Sequence, residues 1–180
     1  MSILKEGSFN DIAEDYQSCL DRWDRTAVIR TRPRRLLQDF SSDSLIFYPT
    51  IHEPLVAHPL VRSKDEIITQ NILTHSAYRF MLGVAEVETN VIIHFCSKIY
   101  NSEIDFNYPT KIKHDMLSII IDEAHHAYIA LDYIDQIEGF TKIKPLVYHQ
   151  DVELSYTMRK YLPLLAPPVR DAFEVVAICL

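Results

Sequence analysis

Apolar residues recur at intervals of three and four along most of this chain, which is the spacing of one face of an α-helix. The clearest run is Lys111 to Glu138. There Ile112, Met116, Ile119/Ile120, Glu123, His126/Ala127, Ala130, Ile134 and Ile137 share one stripe, and Gly139 follows where a helix stop is expected. Phe80 to Tyr100 repeats the pattern through Met81, Val84, Glu88, Val91/Ile92, Phe95 and Ile99. Ser63 to Tyr78 opens on Ser63-Lys64-Asp65-Glu66, a capping box, and continues with Ile67, Ile68, Ile72 and Leu73 as its buried side. Either this helix breaks near Arg79 or it runs on into the next. Upstream, Asp11 to Val28 predicts a first helix, with Ile12, Tyr16, Cys19/Leu20 and Trp23 on one face. Thr31 to Pro59 reads as a long connection broken by Pro33, Pro49, Pro54 and Pro59; its Phe47, Tyr48 and Ile51 are expected to pack on the body. Tyr148 to Leu162 predicts another helix, ended by Pro163. Val169 to Leu180 predicts the last, entered through Pro168.

This pattern predicts an all-α fold in one helical domain over residues 1–180: a helix plus a proline-rich packing segment over 1–60, then bundle helices over 63–180. The apolar end, Val175 to Leu180, has neither cap nor polar tail, so the bundle is expected to be incomplete at its C-terminus. With 180 residues and 48% apolar content the chain can bury a core unaided, and a disordered class is excluded. Only three glycines are present, which counts against a hairpin-rich β fold and a glycine-rich phosphate loop. The net charge is -7; the nearest approach to a basic run, Arg30, Arg32, Arg34 and Arg35, reads as a solvated face, and no nucleic-acid partner is expected. Cys19, Cys96 and Cys179 are widely spaced and lack a C-x-x-C pair, as expected of reduced thiols in a cytoplasmic protein. No signal peptide is visible, and with no uninterrupted uncharged apolar stretch of about 18 residues no membrane span is expected.

The chemistry concentrates on two helices. Glu123 and His126 lie one turn apart on a face otherwise made of Ile, Met and Ala. A buried carboxylate costs several kcal/mol unless something compensates it, and a metal ion does so. Glu88 interrupts the apolar face of the preceding helix. One helix giving Glu and the next giving Glu-x-x-His is half of the ligand set of a di-iron carboxylate bundle. Such a pairing requires the Glu88 and Glu123 carboxyls to lie within about 8 Å of each other, given ligand bonds near 2 Å. Glu86 is the fallback ligand. His125 points about 100° away from His126, and Asp122 and His125 are candidates to support the ligands from behind. Tyr78, Tyr100, Tyr128 and Tyr133 suit either a pocket lining or a core with bonded hydroxyls. His94 and His114 suggest no role.

Ile119 to His125 also spells a helicase-like D-E-A-H after an apolar run. No phosphate-cradling G-x-x-x-x-G-K-[ST] precedes it, and the apolar spacing continues at helical period through Ala127, Ala130 and Ile134. H-E-x-x-H is likewise missing, which counts against a hydrolytic zinc site.

Glu88, followed by a loop and then Asp122-Glu123-Ala124-His125-His126-Ala127, resembles the p-aminobenzoate N-oxygenase family. Its members carry a D-E-A-x-H-A helix preceded by a glutamate helix at the same separation. Phe47-Tyr48-Pro49 through His58-Pro59 is similar to the family's entry segment, and the resemblance covers most of residues 40–140. It implies a ferritin-like bundle holding two iron ions, with Glu88, Glu123 and His126 as ligands and Glu123 bridging. It further implies O2 activation and oxygen insertion into an aryl amine or similar small molecule. With no flavin or nicotinamide fingerprint in the chain, an external electron donor is expected, and a homodimer is a further candidate partner. The chain departs from the family where the remaining ligands are expected, a further Glu, a His and a second Glu-x-x-His group. Downstream, only His149 and Glu153 are candidates, and they do not form that group. On this reading the 180-residue chain loads iron weakly and is poorly active. The rival expectation is a non-catalytic helical interaction module, in which Glu88 and Glu123 are exposed or paired with Arg or Lys.

Overall fold

A computed structural model describes residues 16–37, 46–104, 108–146, 160–167 and 169–170. Among them the protein is mostly helical, with no strand. Three helices of one turn come first, α1 (Trp23–Thr26), α2 (Val28–Thr31) and α3 (Pro59–Arg62). Then α4 (Glu66–Val87) continues through a π-helical turn, Glu88–Ile92, into α5 (Ile93–Tyr100). The long helix α6 (Thr110–Thr141) returns alongside both. The chain therefore runs on at Arg79 without a break.

α4–α5 and α6 are antiparallel. Ala77 and Tyr78 pack on Ile134 and Ile137 near one end, and Lys113 bonds Ser102 at the other, 2.7 Å from Nζ to Oγ. One buried cluster sits at the first of these ends, and Val91, Phe95, Cys96 and Ile99 are buried along the rest of α4–α5 and the π turn. Tyr78 is fully buried, and its hydroxyl donates to the Ile143 carbonyl at 2.7 Å, so the buried ring leaves no orphan polar atom. Phe47 and Tyr48 of the proline-rich connection pack against this cluster as expected, whereas Ile51 is 85% exposed.

The predicted first helix does not form over 16–22. Residues 11–15 lie outside the described residues, and from Tyr16 the chain runs as a strap along α6, tied side chain by side chain. Tyr16 and Ser18 both donate to the buried Asp115 at 2.7 Å, Trp23 Nε1 donates to Asp122 at 2.6 Å, and the Leu37 N–H donates to Gln136 at 2.7 Å. Ser18 also accepts from the Leu20 N–H, a local turn that competes with helix. Arg34 pairs with Asp132, whose carboxyl it holds below the usual range, and Arg30 pairs with Asp24 and covers the Trp23 ring. All four clustered arginines are exposed, as a solvated face requires, and Arg34 also ties the strap to α6.

Other local expectations fail for physical reasons. Ser63 caps the end of α3, its hydroxyl donating to Leu60, so no capping box opens α4. Ile67 (62% exposed) and Ile68 stay out of the core because the stretch of α6 packed on α4 ends at Thr141. α6 passes through Gly139 and closes on Lys142, which takes the left-handed conformation with φ 61°. Most of the two helices predicted after Tyr148 lies outside the described residues, with His149 and Glu153 among them; Pro163 falls within a short 3₁₀ turn, Leu162–Leu164. By length and composition Glu66–Tyr100 is apolar enough to cross a membrane, a test that a soluble protein's core helix also passes.

Two substitutions check this packing by chemical denaturation. Gly139→Ala raises stability by about 0.5–1 kcal/mol, since glycine weakens a helix interior and nothing lies within 4 Å of the added methyl. Ile137→Ala, at a fully buried position, lowers it by about 2–5 kcal/mol.

Candidate metal centre

Antiparallel pairing brings Glu88, at the start of the π turn, opposite Glu123 in the middle of α6. The turn is a local widening: the Ile93 N–H donates to the Glu88 carbonyl five residues back, and the Thr89 hydroxyl donates to the Ala85 carbonyl at 2.8 Å. Single π turns inside α-helices are frequent at functional sites. His126 lies one turn beyond Glu123 on the same face.

The three side chains converge. One ligand atom from each of Glu88, Glu123 and His126 lies within 4.8 Å of the other two. His126 Nδ1 is 2.7 Å from Glu123 Oε2 and 3.8 Å from Glu88 Oε1. The carboxylates are largely shielded, with side chains 15% exposed at Glu88 and 19% at Glu123; that of His126 is 51% exposed and forms the open edge. Glu88 Oε2 is buried and has no hydrogen-bond partner. Burial first, then the hydrogen bond and charge of Glu123, push the Glu88 carboxyl up to about 7, and His126 opposes the rise.

A metal ion fits this donor set. Two carboxylates and an imidazole suit iron, manganese or zinc, and the partnerless Oε2 is a buried acceptor awaiting a positive group. Glu86, the fallback, is outside the cluster. Asp122 accepts from Trp23, so it ties the strap to the ligand-bearing helix. His125 stacks on Tyr128 with centroids 6.4 Å apart and lines a cleft of about 320 Å³ between the strap and α6. Trp23, Asp122 and His126 line the same cleft, so the open edge of the cluster faces it.

Three features of the site escape the sequence pattern. The π turn has no residue signature. Trp23 was placed on a helix face, although a half-buried indole N–H needs an acceptor. Cys96 is buried beside Glu123, and its thiol is pushed up to about 11 by burial and by that carboxylate, so in the metal-free protein it stays protonated. Cys19 and Cys96 are free thiols, and Cys179 lies outside the described residues.

No family model, curated protein or solved structure matches this chain.

The raised Glu88 pKa sets a pH dependence. The retained proton stabilises the fold fully below the unfolded value near 4.5, and that contribution is lost as pH rises through about 7. Metal-free protein therefore loses stability between pH 5 and 8. Glu88→Gln flattens that slope and is the more stable form at pH 8 by about 1–3 kcal/mol in urea titrations. An unchanged slope in Glu88→Gln counts against the buried, crowded carboxylate.

Proposed function

We propose that Glu88, Glu123 and His126 hold iron as one half of a di-iron centre in a ferritin-like bundle, and that the protein is an O2-dependent oxygenase acting on a small molecule. N-oxygenation of an aryl amine is the reaction that the resemblance implies. The observation that carries this reading is the convergence of three ligand atoms from two helices, shielded at the two carboxylates and open at His126, where Glu88 Oε2 lacks a hydrogen-bond partner.

Bound there, iron supplies electrons to O2 and open positions at which it is reduced. The chain's own residues do the rest. Glu88 and Glu123 bring negative charge that favours a cationic centre over protons at neutral pH. α4–α5 and α6 set the ligands from rigid elements, and the apolar neighbours Val91, Phe95 and Cys96 keep water from the inner side. Asp122 and Trp23 hold the strap against α6, so the cleft beside His126 is the route by which a small molecule reaches the open edge. Converting an amine to a hydroxylamine with one oxygen atom from O2 releases the other as water and consumes two electrons and two protons. Without a nucleotide-binding fingerprint in the sequence, these come from an external donor.

The interaction-module reading draws support from one observation. Leu117, Ile121, Tyr128 and Leu131 form a second apolar stripe on α6, exposed on the side away from Glu123. Metal binding separates the two readings. In anaerobic Fe(II) titrations, Glu123→Gln and His126→Ala each weaken binding at least tenfold, and the reduced wild-type protein consumes O2 faster with an aryl amine present. Wild-type protein that binds Fe(II) no better than Glu123→Gln leaves only the interaction module.

A further inference from the structure

A cleft of about 340 Å³ runs along the first half of α4, beside the 3₁₀ turn Pro54–Ala57. Ser76, which lines it, lies roughly 18 Å along the helix from Glu88, so the cleft is separate from the three ligands. Its size falls within the roughly 300–1,000 Å³ of small-molecule sites. Glu53 lines it and is only 6% exposed. The Glu53 Oε1 accepts from the Leu55 N–H at 3.2 Å, and its Oε2 accepts from the Ser76 hydroxyl. Both donors are neutral, and a carboxylate has room for about four. Arg79 lines the same cleft, is exposed, and forms no ion pair with Glu53 or with any other described acid. Leu55 (59% exposed), Ile68 and Ile72 give the cleft an apolar wall that is still open to water.

An acid and a guanidinium that line one cleft without pairing, beside an apolar wall, match a ligand that carries both opposite charges and an apolar body. We infer that the cleft binds a small zwitterion, an α-amino acid with an aliphatic side chain. The ligand's ammonium donates to the remaining lone pairs of Glu53, its carboxylate accepts from Arg79, and its side chain covers Leu55, Ile68 and Ile72. Each contact meets a need already present. The buried carboxylate gains a counter-ion, the planar guanidinium gains the bidentate acceptor that suits it, and the apolar wall leaves water. A plain amine sets its charge near Arg79 and leaves that guanidinium unused. A plain carboxylate brings a second acid to Glu53 and leaves the first without a cation. The inference does not depend on the metal centre.

The experiment is titration calorimetry of the full chain with three probes: L-leucine, isopentylamine, which is leucine without its carboxylate, and isocaproate, which is leucine without its ammonium. L-Leucine is expected to bind, and each truncated probe to bind at least about tenfold more weakly, the loss that follows from one missing charge-assisted hydrogen bond. Arg79→Met, at an exposed position outside the core, keeps the helical circular dichroism and lowers leucine affinity to that of isopentylamine, whose own affinity it leaves unchanged. Glu53→Gln lowers leucine affinity to that of isocaproate. Because Glu53 also accepts from Leu55 and Ser76, that variant is scored only where its melting matches wild type, and Arg79→Met decides the matter otherwise. L-Leucine that fails to bind, that binds no better than either truncated probe, or that binds Arg79→Met as well as wild type overturns the inference. Fe(II) binding at Glu123 and His126 is left standing by each of these results.

Discussion

A carboxylate drawn out of water has to meet a proton, a hydrogen-bond donor or a cation, and this molecule shows how selectively that demand is met. Asp115 is buried and takes two hydroxyl donors, from Tyr16 and Ser18. Glu53 is buried and accepts from the Ser76 hydroxyl and the Leu55 N–H. Asp132 holds Arg34 and Gln136. Glu88 stands apart from them. It sits against a second acid, its Oε2 has no partner, and the nearest opposite charge available is an imidazole already bonded to Glu123. The antiparallel register, the π turn and the strap all converge on this one unsatisfied group.

Much of this arrangement was legible because helical periodicity reports burial. Interrupting an apolar stripe with Glu88, and another with Glu123 and His126, marks inward-facing polar groups as long as the helices form and pair with their neighbours in sequence. Both conditions hold here, since the connection between Tyr100 and Thr110 is short enough to return the chain antiparallel. Periodicity does not carry information about where a partner helix stops. Ile67 and Ile68 satisfy the pattern and still lie outside the core, because α6 ends before reaching them. Local signals failed where a neighbouring element had a prior claim on the residue, as with Ser63 at the end of α3 and Gly139 inside a helix that Lys142 ends instead.

The strap was misread for a related reason. Tyr16, Cys19/Leu20 and Trp23 have helical spacing, yet Tyr16, Ser18 and Trp23 hold donors that reach acids on α6. Each donated bond relieves a carboxylate on that helix, and three such contacts outweigh the weak intrinsic gain of a short helix. The consequence reaches the site, since the strap walls the cleft into which His126 opens and an independent helix would have left that edge bare.

Whether Glu88 is satisfied by a proton or by a cation is decided by its neighbour. A proton on Glu88 quiets one acid and leaves Glu123 to its contact with His126. It does so only while the pH stays near or below 7, where the crowded carboxyl titrates. A divalent cation neutralises both acids at once and takes the imidazole as a neutral ligand rather than as a counter-ion. It also gives the buried Oε2 the partner that no described side chain provides. The three groups could therefore hold a metal ion, and the alternative, a proton on Glu88, is given up as the pH rises.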